Sequence, residues 1–329
     1  MIFERSNKVK RIVGLVIFVS VLLASCSNDK VQDKEEENKL PSQKEVSFSY
    51  EGKNFKIIPF YEEVLEYTDY VKKNPSESNP GAYKEKVLEP LKEKSTLNLH
   101  LEYPFKASTE VEKFEKNTIQ LLQKQEQINE LIKEALIKSS EHLPGGDKNV
   151  YIMPVRPEDN LVINNMEGVS GVTYNEKDIF IQIDPAFSED TLKYVVAHEY
   201  HHAINILANG EMVIYTILDR ILFEGKADSF AHIIYPEISA PWTEPLPEET
   251  AVIVLEELRK NADSTSIKIY MDFFNGNSAK GIPLWSNYKI GYEITQSYIE
   301  NNPDTTISKW TRLPSKDLLQ NCEYNNLLK

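Results

Sequence analysis

Two histidines and a glutamate stand at a spacing that suits metal-assisted chemistry. His198, Glu199 and His202 form the pattern H-E-x-x-H. If this stretch is helical, His198 and His202 lie one turn apart on the same face, because residues i and i+4 stack along a helix. Both imidazoles can then reach a single cation, which is the geometry that a tetrahedral zinc site requires.

A second pair of polar residues follows at helical spacing. Glu224 and Asp228 form E-x-x-x-D, with the two carboxylates one turn apart on one face. Catalytic zinc sites use three protein ligands plus a water, and two histidines with one glutamate are a known set. We therefore predict one zinc ion per chain, held by His198, His202 and Glu224. Asp228 is placed to accept the outward N–H of a ligand histidine and so to fix its tautomer.

The residue next to the first histidine supplies the remaining chemistry. Glu199 points beside the metal without binding it, so we predict that it accepts a proton from the metal-activated water as a general base. A structural alternative stays open for each residue, because histidines and acidic residues on a helix are ordinary surface or core residues.

The two motifs together carry a family resemblance. His198-Glu199-Tyr200-His201-His202 followed by Glu224-Gly225-Lys226-Ala227-Asp228 resembles the gluzincin type of zinc peptidase, and more narrowly the YjaZ-like predicted zinc-dependent proteases. Two flanks, residues 171–185 and residues 288–294, are similar as well, and the likeness covers roughly residues 45–325. The resemblance implies hydrolysis of peptide bonds in a peptide or protein substrate. It also implies that residues 168–184 supply an exposed strand edge that pairs with the substrate backbone; two ordinary strands of a small sheet are the alternative.

The same resemblance implies a hydrogen-bond donor for the tetrahedral oxyanion from the C-terminal part of the chain. Tyr288 and Tyr292 are the candidates, and both have a structural alternative in a chain with seventeen tyrosines. We expect His201 to face solvent or to support a ligand. His232 lies one turn after Asp228 and is expected to be a packed or exposed histidine rather than a ligand.

The elements that must position these residues are mainly helical. Apolar residues recur at helical spacing around His198 and in residues 215–234, and a long apolar stripe runs through residues 108–140. Strands are predicted at 150–155, 168–174 and 179–183, and a hairpin at 46–58. Residues 271–283 are expected to form a loop. The predicted fold class is α+β, mostly helical, with a gluzincin-like core and a small sheet before the H-E-x-x-H helix.

The N-terminus is interpreted as a targeting signal. Lys8, Lys10 and Arg11 precede a mainly apolar stretch of thirteen residues, 12–24, which overlaps the sequence Leu23-Ala24-Ser25-Cys26 and suggests a lipoprotein signal peptide over residues 1–25. Cys26 would then carry the lipid and anchor the protein to the cell membrane, facing outside the cytoplasm. An uncleaved anchor is the alternative. Residues 26–44 are polar and free of aromatic residues, and we predict that they form a disordered tether.

The net charge of the chain disfavours some classes of binding partner. Its formal net charge is −14, and removal of residues 1–25, which hold four basic residues and one acidic residue, makes it −17. Such an acidic body argues against nucleic acid as a partner and against attachment to anionic lipid by charge. If Cys26 carries lipid, Cys322 has no partner for an intramolecular disulfide.

We divide the remaining chain into an N-terminal, mainly helical region at 45–145 and a zinc peptidase core with C-terminal helices at 146–329. The function predicted from these observations is a membrane-anchored zinc metallopeptidase. A non-catalytic surface lipoprotein that binds a ligand or partner, with a structural zinc site, is the alternative.

Overall fold

Five short strands form a mixed sheet, described in a computed structural model for residues 40–96, 105–209 and 215–328. The strands are β1 (Val46–Tyr50), β2 (Lys53–Pro59), β3 (Lys148–Pro154), β4 (Val169–Thr173) and β5 (Asp178–Ile183). Their order in the sheet is β1-β2-β3-β5-β4, so β1 and β4 are its edges. Both edge strands run antiparallel to their neighbours, and the three inner strands are parallel. The predicted hairpin and the three predicted strands are confirmed.

Thirteen α-helices surround the sheet within the described residues. They are α1 (Tyr61–Lys73), α2 (Asn79–Tyr83), α3 (Glu89–Lys94), α4 (Val111–Gln123), α5 (Gln125–His142), α6 (Asn160–Asn165), α7 (Glu189–Asn209), α8 (Ile217–Ile234), α9 (Glu248–Asn261), α10 (Ile267–Asn275), α11 (Ser286–Asn301), α12 (Ile307–Arg312) and α13 (Ser315–Gln320). A π-helical turn (Lys84–Leu88) joins α2 to α3. The predicted α+β class with a helical majority is confirmed.

Side chains alternate between the two faces of the sheet, and each face has its own core. Ile58, Tyr151 and Phe180 point to one side, where α1 to α4 pack on them. Ile57, Val150 and Ile181 point to the other side, where α5, α7 and α8 form the larger core. This alternation follows from the two-residue period of a strand. The sheet therefore lies between two helical layers, and α7 with its histidines is on the larger one.

Two local predictions were incomplete or wrong, and one short helix was missed. The apolar stripe of residues 108–140 is two helices, because the chain leaves helical geometry at Lys124. Residues 267–275 form helix α10 where we expected part of a loop: Ser266 caps the helix start, and Gly276 at φ 77° ends it. The six-residue helix α6 was not predicted at all.

The helix that carries Glu224, α8, is capped at its N-terminus and packs closely against α11 at its middle. Thr216 and Asp219 form a reciprocal capping box at the N-terminus of α8. At its middle, Gly225 meets Gly291 of α11 so closely that a Cβ on either glycine would overlap the backbone of the other helix. The close crossing sets α11, and with it Tyr288, directly against the Glu224 region of α8.

The described helices contain no segment that is both long and apolar enough to cross a bilayer. The predicted signal peptide, Cys26 and residues 27–39 of the predicted tether lie outside the described residues.

Candidate metal centre

Three ligand-type side chains converge between α7 and α8. The Nε2 atoms of His198 and His202 lie 3.3 Å and 3.2 Å from the same oxygen of Glu224, Oε2. Within the part of the chain that the structure describes, these three residues form the one group of this kind, with all donor atoms within 4.8 Å of one another. Both imidazoles are buried, and Glu224 is mostly buried. The structure thus brings together the three residues that the sequence predicted as ligands.

The electrostatics of this cluster favour a bound cation. Burial opposes ionisation of Glu224, but the neighbouring imidazoles outweigh it and hold the pKa of the carboxyl at about 2. Burial likewise opposes protonation of His198, yet Asp228 and Glu224 raise its pKa well above the ordinary value. In this arrangement, protons on the imidazoles compensate the negative charge of the carboxylates. A dication bound between these residues can replace those protons. Two nitrogen donors and one oxygen donor around one point fit zinc.

Asp228 forms a hydrogen bond with the ring nitrogen of His198 that does not face Glu224. Its Oδ1 accepts from His198 Nδ1 at 2.9 Å, so Nε2 is the ring nitrogen that faces Glu224. The same oxygen also accepts from Trp242 Nε1 at 3.0 Å and lies 3.3 Å from the Tyr194 hydroxyl. Asp228 is fully buried, so these donors fix its orientation. Trp242 comes from the proline-rich connection after α8, where no periodic pattern pointed to a contact.

The second histidine is held differently. His202 Nδ1 is buried and, among the described residues, has no hydrogen-bond partner. Its ring lies flat on Phe223, with centroids 4.1 Å apart and planes at 9°. The two ligand histidines are therefore supported unequally, one by a carboxylate and one by an aromatic ring. Phe223 was not identified from the sequence.

Glu199 lines the same cleft as the three-residue cluster, and its carboxyl group contacts the edge strand β4. Its Oε2 accepts from Thr173 Oγ1 at 2.8 Å. Gly171, two residues earlier on β4, makes room for the carboxyl group: a Cβ there would lie 2.7 Å from Oε1 and 2.8 Å from Cδ. Burial raises the pKa of Glu199. The alternation of a strand could have placed Gly171 and Thr173 on one face, but only the fold shows that Glu199 meets them.

The two candidate tyrosines on α11 have different surroundings. Tyr288 lines the same cleft as the two histidines, with its ring centroid 6.4 Å from that of His198. Burial, with the charge of Glu224, raises the pKa of Tyr288 well above the ordinary value, so its hydroxyl stays a donor. Tyr292 packs edge-on against His232 at 5.9 Å and is not among the residues that line the cleft. Of the two, Tyr288 is the one positioned to reach a substrate.

His201 does not face solvent, so that part of our expectation for it was wrong. Its ring is fully buried, stacks on Trp310 and lies 3.2 Å from the Thr311 hydroxyl. Burial holds the pKa of His201 well below the ordinary value, so it is a neutral packing residue. His232 is half-buried against Tyr292, which agrees with the packed histidine that we expected.

A cleft of about 250 Å³ opens over this cluster. It contains His198, Glu199, His202 and Glu224 and runs along β4 from Ser170 to Thr173. Its other walls are mainly apolar and comprise Leu161, Val162, Met166, Phe223, Phe274 and Tyr288. The cluster is therefore accessible to a ligand that approaches along the free edge of the sheet.

No curated protein matches the chain. A family model described as a predicted zinc-dependent protease, DUF2268, matches residues 128–320. This span includes the sheet from β3 onward, both helices of the cluster and α11 with Tyr288. It confirms the resemblance to the YjaZ-like proteases. The chain therefore belongs to this family of predicted zinc-dependent proteases.

Proposed function

We propose that the protein is a zinc metallopeptidase of the gluzincin type, which hydrolyses peptide bonds with a zinc-activated water. The observation that carries the proposal is the meeting of His198 Nε2, His202 Nε2 and Glu224 Oε2 at the base of an open cleft, with a fourth polar residue, Glu199, beside them. A structural zinc site has no need of that open cleft or of a carboxylate that does not bind the metal.

Zinc held by these three residues would lower the pKa of a bound water and polarise the scissile carbonyl. Glu199 then accepts the proton of the attacking water and passes it to the leaving amine. Its Oε2 is engaged by the Thr173 hydroxyl, so Oε1 is the oxygen left to take the proton. The Tyr288 hydroxyl, which remains protonated, donates a hydrogen bond to the oxyanion.

The edge strand β4 supplies the contacts for the substrate backbone. Asp184 N donates to Gly168 O, which fixes the pairing of β4 with β5. Because bonded positions alternate along an antiparallel pair, Ser170 and Val172 direct their backbone groups to β5. Gly171 and Thr173 direct theirs away from it, toward the cleft. A substrate in extended conformation adds to this edge as a further strand.

We also propose that the protein is displayed outside the cytoplasm on a lipid anchor at Cys26, with the tether at 26–44 between anchor and body. The basic, apolar and small-residue segments of residues 1–25 support this assignment. The expected partners are a peptide or protein substrate and the membrane, and no nucleic acid. The intact mass of the mature protein tests the anchor: a mass that includes residues 1–25 and no lipid contradicts it.

Elemental analysis and hydrolysis together test the enzymatic assignment. Purified protein should hold one zinc per chain and cleave casein in a chelator-sensitive manner. Glu199→Gln should keep the zinc and lose hydrolysis, whereas Glu224→Ala should lose the zinc. Full zinc content in Glu224→Ala would exclude Glu224 as the third ligand. Zinc without turnover on casein and on a mixed peptide library would favour the binding lipoprotein over the peptidase.

A further inference from the structure

We infer that the cleft takes an internal segment of a polypeptide and receives a bulky apolar side chain next to the scissile bond, so that the protein is an endopeptidase with apolar specificity. The inference rests on the proposed hydrolysis and adds the class of substrate. It depends on the shape and polarity of the cleft walls rather than on the metal ligands.

Apolar side chains from two parts of the chain form walls of the cleft. Leu161 and Met166 form one wall, at the start and the end of the α6 segment, and both are partly exposed. Phe223, Phe274 and Tyr288 form the other wall and come from three different helices. The free energy falls when an apolar group covers apolar surface that faces water. A substrate side chain that is aliphatic or aromatic is the occupant that these walls fit.

The aromatic wall lies directly beside the metal ligands. Phe223 stacks on His202, and Tyr288 lies 6.4 Å from His198 and 6.1 Å from Phe274, measured between ring centroids. A side chain held on this wall is therefore adjacent to the carbonyl under attack. At about 250 Å³ the cleft is smaller than the roughly 300–1,000 Å³ typical of sites that enclose a small molecule, and it suits one side chain of a longer chain.

Among the described residues that line the cleft, no charged group is free to hold a chain terminus. Neither lysine nor arginine is among its described lining residues, so a terminal carboxylate finds no counter-charge there. Apart from Glu199 and Glu224, the acidic lining residue is Asp159, which lies 3.8 Å from Arg156 Nη2 and accepts from Val162 N. The N-terminal ammonium group of a substrate would thus meet the carboxylate of Asp159, whose charge is already compensated by Arg156 and by the Val162 N–H. A charge without a partner is costly to bury, so both substrate termini belong outside the cleft.

Binding to an inactive form tests the side-chain preference without turnover. The zinc-loaded, full-length Glu199→Gln variant is titrated with decapeptides that are N-acetylated and C-amidated and carry Leu, Phe, Gly, Asp or Lys at one central position. We expect the Leu and Phe peptides to bind about tenfold more tightly or better than the Gly and Asp peptides, because discrimination by an apolar pocket is of this order. Equal dissociation constants for the five peptides would overturn the inference.

Two variants of the cleft walls and a matched control test whether these walls cause the preference for apolar side chains. In the Glu199→Gln background, Phe274→Ala and Leu161→Ala should each reduce the ratio between the Leu and Gly peptides. Met271→Ala should leave it unchanged, because Met271 is on α10 with Phe274 but is exposed and does not line the cleft. Thermal unfolding of each variant identifies any that fail to fold. A ratio that falls equally in Met271→Ala would contradict the assignment of the walls.

Cleavage by the active enzyme separates internal from terminal attack. The blocked decapeptide with a central Leu should be cut, whereas leucine p-nitroanilide, with a free amino group, and hippuryl-phenylalanine, with a free carboxylate, should not. Faster cleavage of either small substrate would overturn the endopeptidase inference and leave the proposed hydrolysis intact. If no substrate is cut while the Leu peptide still binds more tightly, the proposed hydrolysis fails and the apolar preference of the cleft stands.

Discussion

The hydroxyl of Thr173 donates a hydrogen bond to the carboxylate of Glu199, with 2.8 Å between Thr173 Oγ1 and Glu199 Oε2. This contact joins the edge strand to the helix of the metal cluster. We expect Thr173→Val to lower kcat about tenfold, because a hydrogen bond to a charged group contributes about 1.5–3 kcal/mol and each 1.4 kcal/mol is a factor of ten in rate. Steady-state kinetics and zinc analysis check this. Thr173→Ser keeps the hydroxyl and should retain most of the activity; a valine variant with unchanged kcat would exclude the role.

A substitution at Gly171 tests whether the close approach of β4 to Glu199 matters for catalysis. A Cβ at this position would lie 2.7 Å from Glu199 Oε1, so Gly171→Ala must displace either the carboxylate or the strand. A displacement of about 1 Å at a reacting group costs on the order of a hundredfold in rate, and we expect a loss of kcat of that size. Gly146→Ala is the control, because a Cβ at Gly146 would meet nothing within 4 Å. Near-normal activity of Gly171→Ala would mean that Glu199 is free to move aside.

Asp228 should govern how tightly the site binds zinc. Replacement by asparagine removes the negative charge that faces His198 Nδ1 while it preserves the size of the side chain. Loss of such a supporting group lowers metal affinity about ten- to a hundredfold, and we expect Asp228→Asn to do so. Competition with a chromophoric chelator measures the change. Asp190→Asn, at the exposed start of α7, should bind zinc like the unaltered protein, and equal affinities for both variants would contradict the role of Asp228.

Lys226 should make the stability of the folded protein depend on pH. This effect can be measured without any catalytic activity. Its ammonium group is buried and donates to the carbonyl oxygens of Thr311 and Leu313, and burial lowers its pKa to about 8. The unfolded chain binds this proton up to its ordinary pKa near 10.5, so the unfolded state holds more protons than the folded state between pH 8 and 10.5.

The contribution of Lys226 to stability should therefore rise as the pH increases through this window, by at most about 3 kcal/mol. Below pH 8 the cost of the buried charge is fully present. Chemical unfolding of the unaltered protein and of Lys226→Met at pH 7.5, 9 and 10 measures the difference between their free energies of unfolding. A difference that does not change with pH would exclude the buried charge as its source.

The sequence was most informative where a regular spacing determines both structure and chemistry. The i, i+4 pairs on α7 and α8 predicted which side chains share a face, and the structure brings His198, His202 and Glu224 to one point. The hairpin at 46–58 was predicted from its alternation, and the later strands were predicted because those stretches are short and rich in Val and Ile. What spacing does not encode was missed: Trp242 and Phe223 reach the cluster only because of tertiary packing.

The same reason explains the local errors. The break at Lys124 has no proline or glycine to mark it. Phe114 of α4 packs in the smaller core, whereas Leu121 and Leu122 of α4 join α5 in the larger core, and this division depends on tertiary packing. Helix α10 was missed because its apolar residues are stabilised by α8 and α11, which lie close only in the folded chain. The unequal support of His198 and His202 likewise depends on neighbours from distant parts of the sequence.

The segment from Ile307 to Leu313 carries no chemical motif, yet it touches both helices of the metal cluster. Trp310 covers His201 on α7, and the carbonyl oxygens of Thr311 and Leu313 receive Lys226 from α8. Truncation before Ile307 would leave a buried ammonium group without acceptors and an imidazole without its cover. The shortest fragment that keeps both helices of the cluster in place therefore has to extend well past Glu224 and Asp228, at least to Leu313, the residue after α12.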